Sequence, residues 1–143
     1  MNKIKMEKQV LEHENRLETI PETINIVSSR IDDICNELSI QEEYYGNILI
    51  AVTEAVNNAM NHGNKNDKNK SVYFSHEQLP NGNLSFKIED EGCGFNVNSL
   101  PDPTLPENLL KENGRGVFLM EHLSDEMNYT NNGRTVELIF FLK

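Results

Sequence analysis

The sequence predicts an α+β fold, a two-layer α/β sandwich in which helices cover one face of a mostly antiparallel mixed sheet. Two segments before residue 64 carry apolar residues at helical spacing. Two later pairs of short segments alternate as hairpins do, and a third helical segment separates those pairs. Because 143 residues are the length of one domain, we expect residues 1–143 to fold as a single unit.

The first two helices follow from apolar spacing and from residues suited to helix ends. Residues 1–19 precede them as an N-terminal segment in which an edge strand is an option. Apolar residues recur at steps of three and four in the first helix, at Ile24, Val27, Ile31, Ile34 and Leu38. Ser39 and Glu42 match a capping box that opens the second helix, and Gly63 matches its C-cap. The second helix has its own apolar stripe, at Tyr45, Ile48, Leu49, Val52, Val56 and Ala59.

The strands are predicted in two hairpins on either side of a long loop. Val72 and Phe74 indicate a strand, 80–82 a turn, and 84–88 the partner strand. Residues 95–113 have no periodicity and predict a long loop, which is uncommon unless functional.

The C-terminal part predicts a helix and a second hairpin. The helix begins at Gly114 to Gly116, Met127 and Tyr129 indicate a strand, and Asn132-Gly133 a tight turn. The last strand covers 134–142. It is apolar on both faces near its end, so we place it centrally in the sheet.

Composition and charge narrow the functional classes. A net charge of -10 argues against a sequence-independent grip on nucleic acid and favours a protein partner or a small ligand. No apolar run is long enough to span a membrane and the first residues lack the apolar segment of a signal peptide, so we expect a cytoplasmic protein. Cys35 and Cys93 are expected to be free thiols in that compartment.

Three polar residues stand four apart on the second helix: Glu54, Asn58 and His62. This spacing places them on one face, opposite the apolar stripe. A carboxylate can act as a general base, an amide oxygen can bind Mg²⁺, and an imidazole can contact phosphate. The alternative is a solvated polar helix face with no chemical role.

Asp90 is the second candidate site residue. Counting by twos from Leu84 through the strand reaches Asp90, so its carboxylate points to the apolar face and needs a partner there. A ligand with an exocyclic amine would satisfy it. Gly92 and Gly94 follow and allow the backbone to approach a flat ligand closely. The alternative is a sharp turn after the strand, with Asp90 capping a helix.

The residues Gly114-Arg115-Gly116 stand at the predicted start of the third helix. Free amides, the positive end of the helix dipole and an adjacent Arg115 suit a triphosphate. Ordinary loop geometry is the alternative.

Taken in this order, these three motifs resemble the N, G1 and G2 boxes of the GHKL (histidine-kinase-like) ATPase superfamily. The stretches 53–63 and 114–120 are most similar to those of the small bacterial anti-sigma-factor serine/threonine kinases, and the resemblance covers roughly residue 20 to the end. It implies the Bergerat ATP-binding fold, with ATP and Mg²⁺ as cofactors.

The resemblance also implies a role for each site residue. Glu54 is the catalytic base and Asn58 the Mg²⁺ ligand, and Asp90 hydrogen-bonds the adenine amine. Residues 95–113 form the ATP lid. Further nucleotide contacts are implied at His62, Gly92, Gly94, Gly114, Arg115, Gly116 and Thr135, although Arg134 between Gly133 and Thr135 departs from the family's Gly-Thr pair.

The implied function is a serine/threonine protein kinase that phosphorylates an anti-sigma-factor antagonist, with a sigma factor as a further partner and a homodimer as its assembly. Two alternatives stay open: a module that binds nucleotide and a partner without transfer, and a simple ATPase that uses water in place of the hydroxyl. The sequence does not separate these three.

Overall fold

The sheet of this computed structural model has five strands, and the structure describes residues 15–95 and 112–142, with 112–115 described by backbone alone. The strands are ordered β1-β2-β3-β5-β4 and every neighbouring pair is antiparallel. Within these ranges the sheet is therefore purely antiparallel, whereas a mostly antiparallel mixed sheet was predicted. Their bounds are β1 Arg16–Glu18, β2 Ser71–Gln78, β3 Leu84–Glu89, β4 Glu126–Thr130 and β5 Thr135–Phe140. The predicted α+β class is confirmed.

Three helices pack on the inner face of this sheet. They are α1 Thr23–Glu37, α2 Glu42–Asn58 and α3 Glu112–Leu123. α2 lies against β3 and β5, and its fully buried residues include Ile48, Val52 and Val56. On the sheet side the ring of Phe86 stands 6.0 Å from that of Phe74 and 5.9 Å from that of Phe140. Alternation along β2, β3 and β5 therefore supplies one continuous core.

The strand predictions agree with the structure in position and order. The turn at 80–82 is formed around Gly82, whose φ of +88° suits glycine, and the Leu79 N–H donates to the Asn83 carbonyl at 2.7 Å. β5 lies between β3 and β4, as its two apolar faces predicted. β1 is an edge strand, as residues 1–19 allowed, while residues 1–14 of that segment lie outside the described residues.

The capping box predicted at Ser39 and Glu42 is wrong. Ser39 has a φ of +54° and ends α1 instead of opening α2. Its N–H donates to the Asn36 carbonyl at 3.2 Å, and the Ile40 N–H donates to the Cys35 carbonyl at 2.9 Å, which is the Schellman pattern of a helix end. The connection between α1 and α2 is short, and within it Ser39 ends the preceding helix. The N-cap of α2 is Gln41, which makes no side-chain cap bond.

The C-cap predicted at Gly63 is also wrong. Residues Ala59–Gly63 form a π-helical turn that continues α2, and the Asn64 N–H closes it by donating to the Ala59 carbonyl at 2.8 Å. The residues in the left-handed conformation come later, at Lys65 and Asn66. Glycine at position 63 instead allows the Asp90 carboxylate to lie close to this turn.

Two boundaries near the C-terminus differ slightly from prediction. α3 begins at Glu112, before the predicted Gly114 to Gly116, and most of the predicted lid, 96–111, lies outside the described residues. The connection from β4 to β5 covers residues 131–134, so it is longer than the predicted two-residue turn. None of the helices in the described ranges is long and apolar enough to cross a membrane.

Candidate functional site

A cavity of about 420 Å³ lies between the end of α2, the helix α3 and the inner face of the sheet. This volume falls within the range of roughly 300–1,000 Å³ common for small-molecule sites. The apolar part of its wall comes from all three layers: Ala55, Ala59, Ile88, Val117, Met120 and Val136. Polar groups enter at its two ends.

Asp90 supplies the acidic group of this cavity. It follows Ile88 on the inner face, and both residues line the cavity, so the alternation argument is confirmed. Its Oδ1 accepts the Gly92 N–H at 2.8 Å, and its own N–H donates to the Arg134 carbonyl at 2.9 Å. The chain turns after β3 without entering a helix at residues 91–95, so Asp90 caps no helix there.

The charge of Asp90 is under opposing influences. Burial raises the pKa of Asp90, and it outweighs the lowering by the Gly92 hydrogen bond and by the positive charge of Arg134. A half-buried carboxylate with a raised pKa in a cavity is typical of a site that meets a ligand. Within the described part of the chain, the hydrogen bond to this carboxylate comes from Gly92, and a ligand donor would add to it.

Two glycines permit the close contact between Asp90 and the end of α2. A Cβ atom at Gly63 would lie 2.3 Å from Oδ2 of Asp90, and a Cβ atom at Gly92 would lie 2.0 Å from the Gly63 carbonyl oxygen. A larger residue at Gly92 would push the loop away from the helix end, and one at Gly63 would displace the Asp90 carboxylate. Gly63 therefore serves close approach between two distant segments.

The polar row on α2 is brought together in part. Asn58 and His62 both line the cavity, with His62 in the π-helical turn. Glu54 stands one turn earlier, outside the cavity wall. A Cβ atom at Gly116 would lie 3.0 Å from Nδ2 of Asn58 and 3.3 Å from Oε2 of Glu54. Glu54, Asn58 and the start of α3 therefore meet at one end of the cavity.

The first turn of α3 contains the predicted phosphate-binding residues. Because α3 begins at Glu112, Gly114 and Arg115 belong to its first turn, where backbone N–H groups have no helical partner. Gly116 is buried against Glu54 and Asn58. The side chain of Arg115 lies outside the described residues, so its predicted contact stays a prediction.

The other end of the cavity is lined by the loop after Asp90. Gly94 has a φ of +77°, and the Phe95 N–H donates to the Asn132 carbonyl at 2.8 Å. The Phe95 ring packs edge-on against Tyr129 at 5.1 Å and against the α-carbon of Gly133. Cys93, an exposed free thiol as predicted, also lines the cavity. The buried Cys35 is free as well.

Thr135 is not brought into the cavity with the others. Its hydroxyl donates to Oε1 of Glu89 at 3.0 Å, and Glu89 and Thr135 are register partners. Their chain neighbours Ile88 and Val136 line the cavity, so alternation turns Thr135 to the opposite face. The structure gives no support to its predicted nucleotide contact.

Sequence reasoning missed several cavity residues. Val136 and Tyr129 were recognisable from alternation with Leu138 and Met127, because all four belong to the inner face. Lys65 lines the cavity and has a left-handed backbone conformation. No local sequence pattern predicts its place there. Phe95 was assigned to the lid, and its packing on Tyr129 depends on a contact between distant segments.

A family model described as Histidine kinase-like ATPase domain matches residues 17–140 of this chain. Among curated proteins, the Serine-protein kinase RsbW of Staphylococcus aureus strains JH9 and Newman is 26% identical over 137 residues. The match covers 91% of this chain and 86% of that protein.

Two solved structures share the fold. The RsbU and RsbW domains of Rv1364c from Mycobacterium tuberculosis match with a TM-score of 0.60 at 18% identity, over 88% of this chain and 31% of that one. The histidine kinase domain of the Erythrobacter litoralis EL346 blue-light activated histidine kinase matches with a TM-score of 0.53 at 20% identity, over 83% and 59%. The present chain thus spans about a third of the first structure's length and over half of the second's.

Proposed function

This chain belongs to the family of histidine kinase-like ATPase domains, and from that premise we propose that it binds Mg-ATP in the cavity beside Asp90 and phosphorylates a serine or threonine of a protein partner. The observation that carries the proposal is the half-buried Asp90 carboxylate at one end of a cavity whose other end gathers Glu54, Asn58 and Gly116. The relatives named serine-protein kinase support the type of transfer.

The nucleobase end of the cavity suits adenine. Asp90 accepts a hydrogen bond from the exocyclic amine, and Gly94 borders the flat ring without a side chain in its way. Ile88, Met120 and Val136 supply apolar faces for the ring. Gly92 contributes indirectly, because its amide holds the Asp90 carboxylate.

The phosphate end of the cavity suits a triphosphate with a divalent cation. Asn58 offers an amide oxygen of the kind Mg²⁺ accepts, and Mg²⁺ is usually held by one or two protein groups together with substrate phosphates. In the described ranges no group of three or more His, Cys, Asp or Glu side chains is placed to hold a metal. Bound Mg²⁺ would neutralise charge on the phosphates.

The start of α3 and His62 complete the anion site. The first-turn amides at Gly114 and Arg115 face an anion with the positive end of the helix dipole. His62 on the cavity wall adds a hydrogen-bond donor. Local groups of this kind are needed because the net charge of -10 repels anions at long range.

Transfer requires a base for the acceptor hydroxyl, and we assign Glu54 to that role. The hydroxyl oxygen of the partner attacks the γ-phosphorus, the bond from that phosphorus to the bridging oxygen of ADP breaks, and Glu54 accepts the hydroxyl proton. Glu54 lies beside Asn58 and the start of α3, outside the apolar wall of the cavity. This position suits a group that meets the reacting end of ATP.

The proposed partner is an anti-sigma-factor antagonist that carries the acceptor hydroxyl, with a sigma factor as the second target of a homodimeric regulator in the cytoplasm. This part of the proposal rests on the motifs shared with anti-sigma-factor kinases. The acidic chain favours protein partners over nucleic acid.

The proposal is tested with labelled ATP and a purified anti-sigma-factor antagonist, sought first among the proteins encoded beside this gene. We expect label on a serine or threonine of the partner, nucleotide binding without transfer in Glu54→Ala, and loss of binding in Asp90→Asn. Release of free phosphate alone would instead identify an ATPase, and binding without either reaction a nucleotide-dependent binding module. Normal binding by Asp90→Asn in calorimetry would disprove the adenine assignment.

A further inference from the structure

Asn64 joins the end of the second helix to the loop that carries Asp90. Its side chain is completely buried, at 0% exposure, although it lies in a polar connection. Oδ1 accepts the Glu91 N–H at 2.8 Å across 27 positions of sequence. Nδ2 donates to Oγ1 of Thr19 at 2.9 Å and to the Ser71 carbonyl at 3.0 Å. Both ends of the amide are therefore used.

The backbone of Asn64 is fixed as firmly as its side chain. Its N–H closes the π-helical turn on the Ala59 carbonyl at 2.8 Å, directly after Gly63, whose α-carbon abuts the Asp90 carboxylate. Asn64 thus ends the helical turn that contacts the Asp90 carboxylate. It also holds Glu91, the residue that follows Asp90 in the chain.

The groups around Asn64 are tied to each other as well. The Ser71 N–H donates to Oε1 of Glu91 at 2.6 Å, and the Thr19 hydroxyl donates to the Lys70 carbonyl at 2.5 Å. Glu91 is therefore held through both its backbone and its side chain. Such fully satisfied buried networks fix a local conformation.

We propose that Asn64 is the positioning residue for nucleobase recognition: through Glu91 it sets the place of the Asp90 carboxylate, and thereby the preference of this site for a 6-aminopurine. The proposal rests on the function proposed above and assigns Asn64 no contact with the nucleotide. Its alternative is a purely structural role, in which Asn64 supports folding without affecting base selectivity.

The test compares the dissociation constants of ATP and inosine triphosphate, which lacks the 6-amino group, in wild type and two variants. Asn64→Ala removes all three side-chain hydrogen bonds. We expect it to bind ATP at least tenfold more weakly, and the preference for ATP over inosine triphosphate to fall toward one. The matched control is Thr23→Val, which removes another buried hydrogen bond, from Oγ1 of Thr23 to the Glu18 carbonyl at 2.6 Å, and none of the hydrogen bonds of Asn64.

The control separates positioning from stability. Thr23→Val is expected to lower the melting temperature and keep the wild-type ratio of the two dissociation constants. If Asn64→Ala keeps that ratio too, Asn64 is structural only and the proposal is overturned. If wild type itself binds neither nucleotide, the proposed function fails, which differs from failure of the variant alone.

A measurement on unmodified protein covers the case in which Asn64→Ala does not fold. In nucleotide-free wild type, the Glu91 amide should be protected from hydrogen exchange, because its acceptor is a buried side chain. Exchange of that amide at the rate of an open loop would show that Asn64 does not hold Glu91, and would overturn the proposal whether or not ATP binds.

Discussion

Gly63→Ala tests whether the place of the Asp90 carboxylate decides nucleotide binding. The added methyl group would lie 2.3 Å from both Cγ and Oδ2 of Asp90. Carbon atoms in contact stay about 3.5 Å or more apart, so the carboxylate must move by roughly 1 Å. The obstructed atoms end a side chain and can rotate aside, whereas the backbone of the π-helical turn is held by hydrogen bonds. We therefore expect the fold to survive.

The magnitude follows from the hydrogen bond that is lost. A displacement of this size would remove the proposed bond between Asp90 and the adenine amine, and would also strain the 2.8 Å bond from the Gly92 N–H. A hydrogen bond to a charged group contributes about 1.5–3 kcal/mol. Affinity for ATP should therefore fall roughly 10- to 150-fold.

The assay is a calorimetric titration with Mg-ATP, together with thermal unfolding. Gly46→Ala is the matched control, since nothing lies within 4 Å of a Cβ atom at Gly46 in α2. It should raise stability by about 0.5–1 kcal/mol without changing affinity. Wild-type affinity for ATP in a folded Gly63→Ala protein would refute the reasoning, because the carboxylate would then have moved without consequence.

Three further outcomes are expected. Burial raises the pKa of Asp90, so folding favours the protonated form of this carboxyl group. The stability that the protonated form contributes is present below the unfolded pKa of about 3.9 and is lost as pH rises through the raised pKa. Asp90→Asn should therefore melt at a higher temperature than wild type at neutral pH and match it near pH ~3, and an equal melting temperature at neutral pH would contradict this. With a thiol reagent, the exposed Cys93 should react quickly and the buried Cys35 only on unfolding, and saturating ATP should slow Cys93 because it lines the cavity; equal rates with and without ATP would speak against the site. Burial raises the pKa of Tyr129 to about 12 and the hydrogen bond to Asp32 raises that of Tyr45, so ultraviolet titration should show late phenols, of which Tyr129 ionises with alkaline loss of structure; ionisation of every tyrosine near pH ~10 would contradict this.

The order of the three motifs along the chain is enough to indicate the family, and the family match over residues 17–140 confirms that resemblance. Asp90 could be predicted because alternation along a strand is local: two residues per repeat place it on the same face as Ile88 whatever the rest of the chain does. The row on α2 could be predicted for the same reason, with a repeat of about 3.6 residues. Such periods are read directly from sequence.

The two incorrectly predicted helix ends show what local sequence patterns cannot predict. Ser39 fits either the end of α1 or the start of α2, and the hydrogen bonds from its own N–H and from that of Ile40 assign it to the former. Gly63 fits the pattern of a C-cap, but its lack of a side chain serves the approach of Asp90 from a different element. In each case the residue type indicated a special role, but the role inferred from the local sequence was the wrong one.

By itself the sequence determined the periodicities, and through them the layers, the pairing within each hairpin and the face on which Asp90 and the polar row lie. Only the tertiary structure decided that α2 continues as a π-helical turn, that Asn64 is buried beneath Glu91, and that Thr135 faces away from the cavity. The physical reason is one of range. Periodicity is a property of neighbouring residues, whereas close approach, burial and hydrogen bonding between distant segments exist only once the chain has packed.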